Sequence, residues 1–110
     1  MTAMPLNPNR LRELCPDDPQ AVADLIRDGV ATLAELIVVL QSSTESSTES
    51  ARVAHEIKGV SLMVGAEEIA ELSALIEQLA KNGEGHNVRA RLPELQDAQL
   101  RLLEAATTCS

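Results

Sequence analysis

The chain has 110 residues, 45% of them apolar, yet no Phe, Tyr or Trp, so its core is aliphatic. Nine Lys and Arg against 17 Asp and Glu give a formal charge of -8, which opposes attraction to phosphate backbones, and the missing aromatics remove the stacking platforms of single-strand binders. Nucleic acid is thereby set aside as a partner, and a membrane too, because no apolar run approaches the roughly 18 residues that a bilayer span requires.

Residues 1 to 9, with Pro5 and Pro8 among small polar residues, read as a flexible arm, and residues 10 to 110 as one helical domain. Asn9 is placed to cap a short helix over Arg10 to Leu14, closed off by Pro16. The next stretch, "PDDPQ", is a strong start signal: Asp17 or Asp18 as cap, and Pro19 in the first turn, where its missing N–H does no harm. Apolar residues then fall at 22, 25, 26, 30, 33, 36, 37 and 40, a helical period sustained over about five turns.

The nine residues "SSTESSTES" (42 to 50) double the string SSTE. Each copy fits a capping box, in which Ser caps the helix and Glu three residues on reaches back. The first copy is assigned to a loop, and Ser46 with Glu49 to the start of the next helix. That helix ends at Gly65, a left-handed cap. Ile69, Leu72, Leu75, Ile76 and Leu79 define another, stopped at "KNGEG". The last helix runs from Asn87 or Val88 to Ala106, with Val88, Leu92, Leu95, Leu102 and Ala106 inward. Pro93 lies inside it, deleting one hydrogen bond and crowding the carbonyl four residues earlier, so a kink or a detached first turn is expected. The fold class is all-α: an antiparallel up-and-down four-helix bundle with a short additional N-terminal helix.

Cys15 and Cys109 show no CxxC or metal-ligand spacing and read as incidental thiols of a reducing compartment. The start "MTAMPLNPNR" lacks the basic beginning and apolar middle of a secretory signal. A cytoplasmic protein is expected.

Within the helix from Ser46 to Val64 the string "AHEIKG" (54 to 59) places a glycine where it costs roughly 1 kcal/mol relative to alanine. Ala54, Ile57, Ser61 and Val64 form the buried seam. His55 is about 100° off it, on a face with Ala51, Lys58, Gly59 and Leu62, and should be partly exposed. A zinc protease needs a second His where Gly59 stands, and a di-iron bundle needs a Glu where Arg52 stands. Metal chemistry fails on ligand count. A neutral imidazole, however, is a nucleophile that titrates near neutrality. An exposed ring nitrogen can attack an activated phosphoryl group, Lys58 one turn on would place a cation beside the phosphoryl oxygens, and Gly59 would leave room for a partner's active site. Packing of another helix against Gly59 is the competing explanation for its size.

The stretch "ARVAHEIKGVSLMVGAEEIAELSALIEQLAKNG" (51 to 83) resembles the histidine-containing phosphotransfer (HPt) domain of bacterial two-component phosphorelays. The similarity rests on Ala54, His55, Lys58, Gly59, Gly65, Ala66 and Glu77, and the helical layout extends it to about 17 to 106. The resemblance implies that His55 takes a phosphoryl group from an aspartyl phosphate on one response-regulator receiver domain and passes it to another. Receivers, and a hybrid sensor kinase carrying one, are the partners implied. The chain would be a monomeric phosphocarrier with no kinase activity or cofactor of its own, the Mg2+ residing on the receiver alone. Glu77 matches a position that in many members accepts a hydrogen bond from the ring's other nitrogen; a solvated glutamate is the plainer alternative.

Two features depart from the family pattern. Glu56 puts a negative charge where a small or hydroxyl residue is common, and "VSLMV" is bulkier than the usual small-residue run, so slower transfer or altered partner choice is expected. His86, in a Gly-rich loop without a neighbouring Lys-Gly, reads as incidental. A non-phosphorylated helical adaptor is the alternative function. An ATP-using kinase is disfavoured by the lack of a glycine-rich nucleotide loop or acidic metal pair.

Overall fold

The computed structural model describes residues 19–109; the expected N-terminal arm, the short helix over 10–14 and the cap at Asp17 or Asp18 lie outside them. Four helices follow in order: α1 (Pro19–Ser42), α2 (Ser47–Val64), α3 (Glu67–Lys81) and α4 (Gly85–Cys109). There is no strand among the described residues. Short connections reverse the chain each time. Each helix packs on its sequence neighbour, and α1 closes against α4, which makes a four-helix bundle.

The helix ends follow from local chemistry. Ser46, extended at φ -116°, accepts the Glu49 N–H on its side-chain oxygen at 3.2 Å and so caps α2. The return half of the box is not made: the Ser46 N–H bonds to the Ser43 carbonyl, and Glu49 turns to Arg52. Gly65 (φ 77°) closes α2, with its N–H on the Leu62 carbonyl and the Ala66 N–H on that of Ser61. Gly83 (φ 74°) repeats this pattern after α3, using the Ala80 and Leu79 carbonyls. Both are positions where a Cβ would be strained. At α3 the charges suit the helix dipole, with Glu67 and Glu68 in the first turn and Lys81 in the last.

The core is aliphatic throughout. Ile26, Val30, Leu33, Ile37 and Leu40 of α1 meet Val53, Ala54, Ile57 and Val64 of α2, Ile69, Ile76 and Ala80 of α3, and Val88, Leu95, Ala98 and Leu102 of α4. The seam expected for α2 is buried at all four positions, Ser61 included, its hydroxyl satisfied by the Ile57 carbonyl at 2.6 Å. Leu72 and Leu92 are only half-buried. Leu75, one of the apolar residues that define α3, is 39% exposed, on the side toward α4 rather than in the seam of Ile69 and Ile76.

Helix α4 begins at Gly85, two residues before the expected start, and extends to Cys109. It runs through Pro93 without a detached first turn. Pro93 and Arg89, whose carbonyl loses its donor, are both exposed, so water can satisfy the freed acceptor. No helix among the described residues is long and apolar enough to cross a membrane.

One close approach depends on a glycine that sequence reading passed over. Gly29 of α1 is buried, and a Cβ there would lie 2.2 Å from Val64 Cγ1. Its missing side chain lets α1 settle against the end of α2. This draws in the helix that carries "AHEIKG".

Candidate functional site

His55 sits on α2 with its side chain 68% exposed, one position off the buried Ala54. Across the α2–α3 interface stands Glu77, whose side chain is only 11% exposed. Its carboxylate comes within 3.1 Å of His55 Nδ1 through Oε2, and 3.3 Å through Oε1. Lys81, one turn further along α3, donates from Nζ to the same Oε2 at 3.1 Å. Burial pushes the Glu77 carboxyl up, but the hydrogen bonds and charges of Lys81 and His55 outweigh it and hold the group below the ordinary glutamate range. An ionised carboxylate only accepts, so in its neutral form the imidazole beside it carries its proton on Nδ1. The lone pair is then on Nε2, which has no hydrogen-bond partner among the described residues.

The remaining candidates lie around this ring. Lys58 is half-buried and borders a groove between α2 and α3 with Leu62, Glu67, Ala70, Glu71 and Ala74. Gly59 is exposed, and a Cβ built on it meets nothing within 4 Å. None of the four described helices packs there, so packing among them does not explain its size. Arg52 pairs with both Glu49 and Glu56. Its guanidinium thereby compensates the Glu56 charge beside His55, and its hydrogen bond holds the Glu49 carboxyl below its ordinary value.

The family model of the Hpt domain matches residues 11–106 of this sequence. The chain belongs to the Hpt domain family. Hpt domains serve histidine phosphotransfer in two-component phosphorelays, carrying phosphoryl groups without intrinsic kinase activity and interacting with receiver domains and kinases. No curated protein and no solved structure gives a significant match to the chain.

In this Hpt domain the structure thus brings His55 and Glu77 into contact from different helices and leaves Lys58 and Gly59 on the flank of the ring. His86 is apart from them: it is exposed in the first turn of α4, not in a loop as expected. Lys81 was not singled out from sequence. The signal was present, since Glu77 and Lys81 form a Glu-to-Lys pair four residues apart. No group of three or more His, Cys, Asp or Glu side chains among the described residues could hold a metal ion.

Proposed function

We propose that this Hpt domain carries a phosphoryl group on His55 Nε2, accepting it from the aspartyl phosphate of one receiver domain and giving it to the aspartate of another. The observation that carries the reading is the pairing of an exposed imidazole with a buried carboxylate: Nδ1 is held at 3.1 Å by Glu77, while the ring is otherwise open to solvent. A nucleophile for a bulky partner needs both exposure and a fixed tautomer.

In the transfer, the Nε2 lone pair attacks phosphorus and the bond from phosphorus to the aspartyl oxygen breaks, releasing the receiver's carboxylate. The ring keeps its proton on Nδ1 and takes up positive charge as the P–N bond forms. The Glu77 carboxylate, in contact with that N–H, stabilises the charge where it develops. Lys58, one turn from His55 on the same face, is suited to neutralise the phosphoryl oxygens. The open space over Gly59 and the groove along Leu62, Ala70 and Ala74 offer the receiver a place to dock. The reverse sequence passes the group on. Mg2+, bound by the receiver, belongs to the partner's half of the reaction.

The test is incubation with a phosphorylated receiver domain and Mg2+. Acid-labile, alkali-stable phosphate on this chain supports the carrier. A complex that forms without transfer would identify a helical adaptor instead.

A further inference from the structure

We infer that Lys81 is a positioning residue of the His55 site, supplying the positive charge that lets Glu77 stay buried and ionised while the imidazole is neutral. The inference rests on the reading of His55 as phosphoacceptor. It concerns the state of the ring before any phosphate arrives.

A histidine can attack phosphorus only when neutral. A neutral ring offers Glu77 one hydrogen bond and no charge. Glu77 is 9% exposed, and an ionised carboxylate in such a place needs a cation as well as donors. His55 cannot be that cation and the nucleophile at once. Lys81 resolves the conflict: its Nζ reaches the Oε2 atom that lies nearest His55 Nδ1, at 3.1 Å in both cases. Lys81 and His55 both act, by hydrogen bond and charge, to hold the Glu77 carboxyl below its ordinary value, and of the two only Lys81 does so without giving up a nucleophile.

Among the described residues no other cation is placed to do this. On α2, Arg52 is engaged by Glu49 and Glu56, and Lys58 makes no bond to Glu77. His55, Glu77 and Lys81 form no ion pair with α1 or α4; Arg27 pairs within α1, and Arg101 of α4 reaches Glu68. Without Lys81 two escapes remain. Either Glu77 turns out to water and the Nδ1–H loses its acceptor, or His55 takes a proton and becomes the missing cation. Both reduce the fraction of ring with Nδ1–H and a free lone pair on Nε2.

The test compares wild type, Lys81→Met and Lys81→Arg by nitrogen-15 NMR of the imidazole at pH 7, with His86→Gln to assign the two histidines. Phosphorylation by phosphoramidate, which needs no receiver, is timed in parallel. Wild type should show the neutral Nδ1–H tautomer. In Lys81→Met the ring signals should move toward a mixed tautomer or the imidazolium, and labelling should slow by roughly tenfold, the lower end of what losing a supporting partner costs elsewhere. Lys81→Arg should restore both within about twofold, since it keeps charge and donors. A folded Lys81→Met with unchanged ring signals overturns the inference whatever its labelling rate. Failure of wild-type His55 to take phosphate from any donor would instead sink the phosphoacceptor reading, and the ring signals would still decide the part played by Lys81.

Discussion

His55 and Glu77 are 22 positions apart in sequence and on different helices, yet Nδ1 of one lies 3.1 Å from Oε2 of the other. The contact joins an exposed group to a buried one. The carboxylate is fixed by the bundle and in turn fixes a ring whose outer nitrogen has no hydrogen-bond partner among the described residues.

The contact predicts a pH signature. The Glu77 carboxyl is held below its ordinary value in the folded chain, so its contribution to stability is fully present above the unfolded value and is lost as pH falls through the folded one. Thermal melts of wild type and Glu77→Gln should therefore converge in the acid range: the melting temperature of wild type relative to the variant should fall between about pH 5 and pH 3. A constant difference across that range would mean that Glu77 is not held ionised by its partners.

Lys58 should act mainly on the rate. Lys58→Ala removes one charged contact to the phosphoryl oxygens and should raise the transfer barrier by about 1 to 3 kcal/mol. Receiver affinity should change less. Equal losses in rate and affinity would make Lys58 a docking residue, with no preference for the transition state.

Gly29 and Gly59, each in the interior of a helix, predict opposite outcomes. Gly59 has open space around it, so Gly59→Ala should gain up to about 1 kcal/mol of stability through helix propensity and a less free unfolded chain. Gly59→Leu should fold normally, slow transfer from a receiver, and leave labelling by phosphoramidate nearly unchanged. Gly29→Ala brings its methyl to 2.2 Å from Val64 Cγ1 and should cost roughly 1 to 3 kcal/mol by overpacking. A stabilised Gly29→Ala would contradict the close approach of α1 to α2.

Much of this was legible in the sequence wherever the cause is local. The Ser46 cap, the Gly65 stop and the buried seam of α2 follow from residues within a turn or two of each other. His55, Lys58 and Gly59 could be picked out because a glycine inside a helix is a local anomaly. What depended on the neighbouring helix was harder to read. Gly29 looks like any other helical glycine until Val64 is set against it. Leu75 has the period of a core residue but faces the edge of α4, because the angle at which α3 lies in the bundle is not a property of its own sequence. Lys81 reads as a favourable last-turn cation; only the burial of Glu77 gives it a further consequence.

The most direct measurement is phosphoryl transfer from a labelled receiver to wild type, His55→Gln and His86→Gln under identical conditions. His55 lies outside the aliphatic core, and the Gln side chain keeps an N–H donor toward Glu77, so His55→Gln should remain folded with its helical content retained. Acid-labile label should appear on wild type and on His86→Gln at equal rates and be absent from His55→Gln. Undiminished label on a folded His55→Gln would contradict the assignment of the phosphoacceptor and the account built on it.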